Sequence, residues 1–162
     1  MNPTATSTPQ VISKDELLAH FQGHRSLTRR VIEMFPEEDF FSFSIGGMRT
    51  AAQLTSELLS IAGPALNAIT KRSPEPYLEL EVSGSKADFL SRWDRSTQVI
   101  NEAWEKISVE EFAENFNLFG QYEFPIIQNV LYFIDNEVHH RGQMFVYLRA
   151  LGLEPPFFWD RN

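Results

Sequence analysis

A run of polar residues interrupts an apolar helical pattern near the C-terminal end of the chain. Asn136, His140 and Gln143 fall within about two turns on one side of the predicted helix. Polar groups at such positions are costly to bury unless hydrogen bonds or a metal ion satisfy them. An imidazole flanked by two amides could hold a metal ion or join a hydrogen-bond network, so this run is the first candidate for chemistry.

A second group of candidates lies near the N-terminus. His20 and His24 form an i, i+4 pair on the first predicted helix, a spacing at which two imidazoles can face one ion. His24 also lies on that helix's apolar stripe, which favours a hydrogen-bonded core histidine, although it could supply a metal ligand. His139 points about 100° away from His140 and is predicted to be exposed.

Composition limits the possible functions. The net charge of −8 argues against a nucleic-acid partner. The chain has no cysteine, which excludes disulfides, thiolate metal sites and a cysteine nucleophile. No stretch reaches ~18 apolar residues, so no membrane span is expected. Residues 1–12 resemble a disordered tail and not a signal peptide, which makes the cytoplasm the expected location.

Capping signals and apolar spacing predict an all-α fold. The predicted helices run from Ser13 to Pro36, from about Met48 to Lys71 with a kink at Pro64, from Ser85 to Ile107, and from Pro125 to Leu151. A short additional helix is expected from Ser108 to about Asn115. Phe40–Gly47 and Ser73–Ser85 are predicted loops, and Tyr77–Val82 could be extended but is too short to build a sheet. Residues 13–162 are therefore predicted to form one four-helix bundle.

The last helix carries more apolar surface than one bundle seam uses. Its apolar residues line two sides, Ile127, Ile134, Phe145 and Leu148 on one and Ile126, Phe133, Met144, Tyr147 and Leu151 on the other. Such a helix can be buried on most sides within one chain, or it can form the interface of a homodimer. Both alternatives stay open, and we expect a homodimer.

Two motifs resemble a known family. The run H-R-G-Q at 140–143, followed by Y-L-R-A-L-G at 147–152, resembles the C-terminal signature of the DinB-like (damage-inducible, YfiT-related) family. Residues 48–50 and 53–54 are similar to that family's second-helix opening. The resemblance spans roughly residues 13–160. It implies a bundle of the DinB/YfiT type, often dimeric, that binds a divalent ion through one histidine of the second helix and an H-x-x-x-H pair on the last.

Carried over residue by residue, the family's metal site falls on Glu57, Asn136 and His140. Two of the three expected histidines are thus replaced. Carboxylate and imidazole groups suit Zn²⁺, Ni²⁺ or Mn²⁺, whereas a neutral amide is a poor ligand. The three positions could hold a divalent metal ion, form a metal-free hydrogen-bond network, or be unrelated surface positions. Arg141 and Gln143 are expected to have structural roles.

Two functions of different classes follow from the resemblance. The first is a DinB-like protein with a degenerate metal site that binds a metal ion or a small-molecule ligand without catalysis. The second is a metal-dependent small-molecule (thiol) transferase or hydrolase in which His140 and Glu57 hold the ion. The replaced histidines favour the first. Phe157–Trp159 is expected to pack over one end of the bundle, or to cover a pocket near His140.

Overall fold

Four long helices form the body of the protein and confirm the predicted bundle. The computed structural model describes residues 11–161, so residues 1–10 of the predicted tail lie outside the described part of the chain. In chain order the helices are α1 (Lys14–Met34), the short α2 (Glu37–Ser42), α3 (Ala51–Lys71), α4 (Lys86–Lys106) and α5 (Ile126–Ala150). Both α1 and α3 pack against α4 and α5, so the four long helices enclose a shared core.

Reciprocal capping boxes begin three of these helices. The side chains of Ser13, Thr50 and Ser85 each accept a hydrogen bond from the backbone N–H three positions later, and the side chain there accepts one from the backbone N–H of the cap. Such pairs satisfy backbone groups that have no partner in the first turn of a helix. α3, which carries Glu57, continues through Pro64.

The first connection differs from its prediction. The segment Phe40–Gly47 was expected to be a loop, but α2 extends to Ser42. Phe40 is fully buried and makes an edge-to-face contact with Phe89 of α4. The aromatic anchor holds this helical turn against the bundle.

A β-hairpin lies before the last helix. A 3₁₀ turn (Glu110–Ala113) replaces the short helix predicted there. Strands β1 (Asn115–Leu118) and β2 (Tyr122–Pro125) follow it and pair antiparallel. Tyr77–Val82, where the sequence permits an extended piece, belongs to neither strand.

A polar layer divides the core into two apolar clusters. The layer consists of Arg25 and Thr28 of α1 with Glu137 and Arg141 of α5, all buried. On one side of it lies a cluster that includes Phe21, Leu66, Trp104, Ile126 and Phe133. On the other side lies a cluster that includes Ile32, Leu54, Trp93, Met144 and Leu148. The centre of the bundle is therefore ionic, and both halves are apolar.

Much of the apolar surface of α5 is buried within the chain itself. Phe133, Ile134, Met144, Tyr147 and Leu148 are all at most 4% exposed. The alternative of burial within one chain therefore accounts for most of the residues that made the helix look unusually wide. Among residues 11–161, no helix has the length and apolar character needed to cross a membrane.

Candidate functional site

Glu57 of α3 and His140 of α5 face each other across the bundle. Glu57 Oε1 lies 3.0 Å from His140 Nε2. The Glu57 side chain is 19% exposed and the His140 side chain 10% exposed, so the pair is shielded but still reaches solvent. Two of the three predicted ligands are thus in direct contact.

Asn136, the third predicted ligand, lies one helical turn before His140 on the same side of α5. Its amide nitrogen is buried, and it has no hydrogen-bond partner among the residues that the structure describes. A buried N–H without a partner is uncommon, and it indicates either that an acceptor such as water is needed or that the amide is turned the other way. Rotation of the amide group by about 180° exchanges its oxygen and nitrogen, so Asn136 Oδ1 could take the place of the nitrogen and face a cation.

Gln143 orients the imidazole of His140. Gln143 Oε1 lies 2.8 Å from His140 Nδ1, and since a carbonyl oxygen only accepts, Nδ1 carries a proton in this arrangement. Nε2 faces a carboxylate oxygen of Glu57, which also only accepts. With Gln143 Oε1 toward Nδ1, both ring nitrogens meet acceptors, and the contact between His140 and Glu57 then needs a positive centre, either a proton on Nε2 or a metal ion. With that amide turned, Gln143 donates to Nδ1, and the N–H at Nε2 donates to Glu57 from a neutral imidazole.

Arg49 binds the second oxygen of Glu57 and is itself paired with Glu79. Arg49 Nη1 donates to Glu57 Oε2 at 2.6 Å, and Arg49 also forms an ion pair with Glu79. The Tyr147 hydroxyl donates to the backbone oxygen of Arg49 at 2.8 Å, which ties this residue to α5. Two carboxylates beside one guanidinium leave a net negative charge when His140 is neutral, and this charge favours a cation.

The site holds two strong metal ligands, not three. Within residues 11–161, no three histidine or acidic side chains are placed to share one ion. Ligands of a tetrahedral ion at ~2.1 Å lie roughly 3.4 Å apart, and the separation of 3.0 Å between Glu57 Oε1 and His140 Nε2 is close to this value. The residues therefore fit a degenerate site in which Asn136 would complete the donor set.

An aromatic cleft of about 340 Å³ opens beside Glu57. Tyr77, Phe119, Tyr122 and Tyr132 contribute its aromatic wall. Burial raises the pKa of Tyr132, and the nearby Glu57 carboxylate raises it further. The same two causes raise the pKa of Tyr77, so both phenols stay neutral near pH 7. The cleft is of a size that admits a small molecule.

The second histidine pair lies elsewhere. His24 Nδ1 is 2.8 Å from Arg141 Nη2, and His24 Nε2 is 3.2 Å from His20 Nε2. These contacts agree with the predicted role of His24 as a hydrogen-bonded core histidine, and they do not bring it to Glu57. His139 is exposed, as its position predicts.

The polar layer contains ionic contacts that the sequence analysis does not single out. Glu137 Oε1 accepts a hydrogen bond of 2.6 Å from the Thr28 hydroxyl, and Glu137 Oε2 lies 3.5 Å from Arg25 Nη1. Arg141 donates to the backbone oxygen of His24 at 3.2 Å. The predicted structural role of Arg141 is thus met by contacts with α1.

Comparisons with known proteins point to one family. The DinB family model matches residues 1–160. The uncharacterised protein YjoA of Bacillus subtilis is 21% identical over 150 residues, which cover 91% of this chain and 97% of YjoA. A solved structure of a DinB-like protein from Bacillus cereus has a TM-score of 0.75 at 18% identity and covers 90% of this chain and 97% of its own. The solved structure of YjoA has a TM-score of 0.69 at 19% identity and covers 88% and 96%.

A four-helix bundle with a carboxylate–imidazole pair between facing helices belongs to the class of helical bundles that build their sites from inward side chains. Within that class, the chain belongs to the DinB family. The predicted membership of the DinB-like family is thereby confirmed. Since the similar structures share under a fifth of their residues with this chain, they show the fold alone, and function must be argued from the site.

Proposed function

We propose that this DinB-family protein binds a divalent cation, Zn²⁺, Ni²⁺ or Mn²⁺, through His140 Nε2 and Glu57 Oε1, with Asn136 Oδ1 as the third donor. The observation that carries the proposal is that both ring nitrogens of His140 face hydrogen-bond acceptors. A metal ion would satisfy Nε2 and Glu57 together, and Gln143 would hold the imidazole as a typical outer partner of a metal ligand. The amide of Asn136, whose nitrogen has no hydrogen-bond partner among the described residues, adds a possible metal ligand on the same face of α5.

The competing explanation is a metal-free pair of imidazolium and carboxylate. That arrangement satisfies His140 and Glu57, but it gives no partner to the buried amide of Asn136. Arg49 would weaken a metal site, because a guanidinium beside Glu57 repels a second cation. We therefore expect weaker binding than a site of three histidines would give.

Elemental analysis of protein purified without an affinity tag, followed by calorimetric titration with each ion, tests the proposal. We expect one divalent ion per chain, and we expect His140→Ala and Glu57→Gln each to abolish stoichiometric binding. His139→Ala is the matched control, since it removes an exposed imidazole from the neighbouring position. Chelator should lower the thermal midpoint of the wild type and leave that of His140→Ala unchanged.

A gain-of-affinity variant sharpens the test. Asn136→His would restore the H-x-x-x-H spacing and replace a poor ligand by a good one. We expect at least about a tenfold gain in zinc affinity for this variant, since even the outer partners of metal ligands commonly change affinity by ~10–100-fold. No bound metal in the purified wild type, together with no measurable titration at millimolar concentrations, would refute the cation site and leave the protonated pair.

Catalysis is the second candidate, and the aromatic cleft beside Glu57 favours it. A substrate in that cleft would lie next to the cation position, with Tyr77 and Tyr132 as neutral hydrogen-bonding groups. A bound ion would supply Lewis-acid activation of water or of a thiol. Turnover of a thiol acceptor or an ester by metal-loaded protein, lost in His140→Ala and retained in His139→Ala, would support a transferase or hydrolase. Equal rates in all three proteins would contradict it.

A further inference from the structure

A second cavity, of about 510 Å³, lies between α1, α5 and the C-terminal segment. His20, His24, Arg141 and Arg161 line it. It is separate from the candidate cation site, because none of these four groups contacts Glu57 or His140. The cavity is therefore rich in hydrogen-bond donors and cationic groups.

The imidazole of His24 faces more hydrogen-bond donors than it can accept from. Arg141 Nη2 lies 2.8 Å from His24 Nδ1, and Arg161 Nη1 lies 3.0 Å from His24 Nε2. A guanidinium only donates, whereas a neutral imidazole has one accepting nitrogen and one N–H. In either tautomer, one guanidinium therefore faces an N–H of His24. An acceptor placed in the cavity would relieve this conflict.

The net charge of the cavity also favours an anion. Within residues 11–161, Arg161 has no carboxylate at ion-pair distance, and Arg141 reaches Glu137 only at 3.9 Å. Glu137 is itself engaged by Arg25. Asp135 is the one carboxylate among the lining side chains that the structure describes. When Glu137 and its second partner Arg25 are counted with the cavity, three guanidinium groups stand against two carboxylates, which leaves one positive charge even when both imidazoles are neutral.

The remaining walls are apolar and aromatic. Ile134, Val138 and Phe145 of α5 line the cavity, as do Phe158 and Trp159 of the C-terminal segment. Phe158 is 68% exposed and Trp159 is 61% exposed, which is unusual for such large side chains and marks a binding surface. Phe158 and Trp159 thus lie over this cavity and not over His140.

Arg161 is fixed in place by its surroundings. A Cβ added to Gly23 of α1 would lie 3.1 Å from Arg161 Cβ, so the glycine permits the close approach of the segment. The neighbouring Asp160 pairs with Arg30 at 3.2 Å. The backbone at Arg161 is therefore held beside the cavity before any ligand arrives, which lowers the entropic cost of binding.

We propose that this cavity binds a small organic anion, with a carboxylate or phosphate group held by Arg161 and the two imidazoles and an apolar or aromatic body packed against Trp159 and Phe145. This site is independent of the cation site, and it assigns a role to the His20–His24 pair. Carboxylates and phosphates share the required chemistry, because both present several acceptor oxygens to guanidinium and imidazole N–H groups.

Calorimetric titration of the full chain with phenylacetate and with phenyl phosphate tests this inference. Inorganic phosphate probes the anionic group alone, and benzyl alcohol probes the aromatic body alone. The organic anion that binds more tightly identifies the preferred head group. We expect either or both organic anions to bind at least about tenfold more tightly than inorganic phosphate or benzyl alcohol. Trp159 provides a local signal, since Trp93 and Trp104 are buried.

Arg161→Gln is the decisive variant, with Arg95→Gln as its control. Both remove one positive charge, but Arg95 is an exposed residue of α4 outside the cavity. Loss of a charge-assisted hydrogen bond predicts about a tenfold or greater loss of affinity for Arg161→Gln and no change for Arg95→Gln. Absence of binding by both organic anions at millimolar concentration, or equal affinity in the two arginine variants, would overturn the proposal.

Discussion

The carboxylate of Glu137 lies in the centre of the bundle with 2% of the residue exposed. It accepts a hydrogen bond from Thr28 and faces Arg25 and Arg141. Arg25 is held in turn by the backbone oxygen of Trp93 at 3.2 Å. Buried ions of this kind are tolerated because each has partners, and removal of one partner leaves the others uncompensated.

Glu137→Ala should therefore be strongly destabilising. We expect the free energy of unfolding to fall by about 3–5 kcal/mol, because Arg25 and Arg141 would stay buried without a carboxylate. Urea denaturation followed by circular dichroism measures the change. Glu105→Ala, at an exposed position of α4, should change stability by less than about 0.5 kcal/mol. A similarly small effect of Glu137→Ala would show that the layer relaxes around the lost charge.

His24 makes the stability of the fold depend on pH. Burial and the positive charges of Arg141, His20 and Arg161 lower the pKa of His24 to about 4. In the unfolded chain a histidine takes up its proton near pH ~6.5. Between these values the unfolded state binds more protons, so the free energy of unfolding falls as pH drops from about 6.5 to about 4.

The measurement is urea denaturation between pH 4 and 7.5 on the wild type and on His24→Gln. We expect the variant to show a shallower decline over this range, because it has no imidazole at position 24. Protonation of carboxylates affects both proteins, so the difference between the two curves isolates His24. Parallel curves would contradict the prediction. An organic anion in the adjoining cavity should reduce the decline, since its charge favours the protonated imidazole.

At the residue scale, the sequence predicts less of the site than of the fold. The relation of His140 to Gln143 follows from helical spacing, and the pairing with Glu57 follows from the family resemblance. Arg49 reaches Glu57, and Glu79 reaches Arg49, from non-helical segments whose paths periodicity cannot predict. Glu137 had a recognisable signal, because it occupies a position of the apolar stripe of α5 at which leucine would be expected.

The capping boxes determine where individual helices begin. Ser85→Ala should lower the free energy of unfolding by about 1 kcal/mol, because the N–H of Asp88 would lose its acceptor. Ser91→Ala, at an exposed position within the same helix, should be neutral or stabilising by a few tenths of a kcal/mol. Urea denaturation of the two variants compares cap and helix interior directly. Equal effects would mean that the cap contributes nothing beyond helix propensity.

At the element scale, the long helices were predictable and the hairpin was not. Apolar spacing over many turns gives a strong signal, and the caps mark the helix starts. β1 and β2 have only four residues each, which is too short for a pattern of alternation to be distinctive. Such a hairpin is marginal alone and depends on packing, here through buried Phe116 and Leu118.

An exposed apolar strip remains on α5 when the chain is considered as a whole. Leu131, Val138 and Val146 are 45%, 40% and 54% exposed, and they share one side of the helix. The strip borders the proposed anion cavity, because Val138 and Gly142 also line that cavity. Gly142 lies between them, and a Cβ added to it would meet nothing within 4 Å. A strip of this form can pack closely against the same helix of a second copy.

We therefore expect a homodimer through α5, with a mass of twice the chain mass in light scattering at micromolar concentration. Val146→Glu should give a monomer, because a carboxylate in the strip would be buried without a partner. Val109→Glu is the control, since Val109 is also exposed but lies outside α5. A wild-type protein that stays monomeric at all accessible concentrations would rule out this use of the strip.

The polar layer has a consequence for the alignment of α1 with α5. Apolar residues pack against one another in many arrangements, so the two clusters alone would tolerate a displacement of one helix along the other. A slip of one turn, about 5.4 Å, would separate Glu137 from Arg25 and Thr28 and press their charges against apolar neighbours. We expect the polar layer to favour one alignment of α1 with α5 over the others that the apolar clusters permit. Since Arg141 of the layer also contacts His24 of α1, that alignment would also determine where the anion cavity forms.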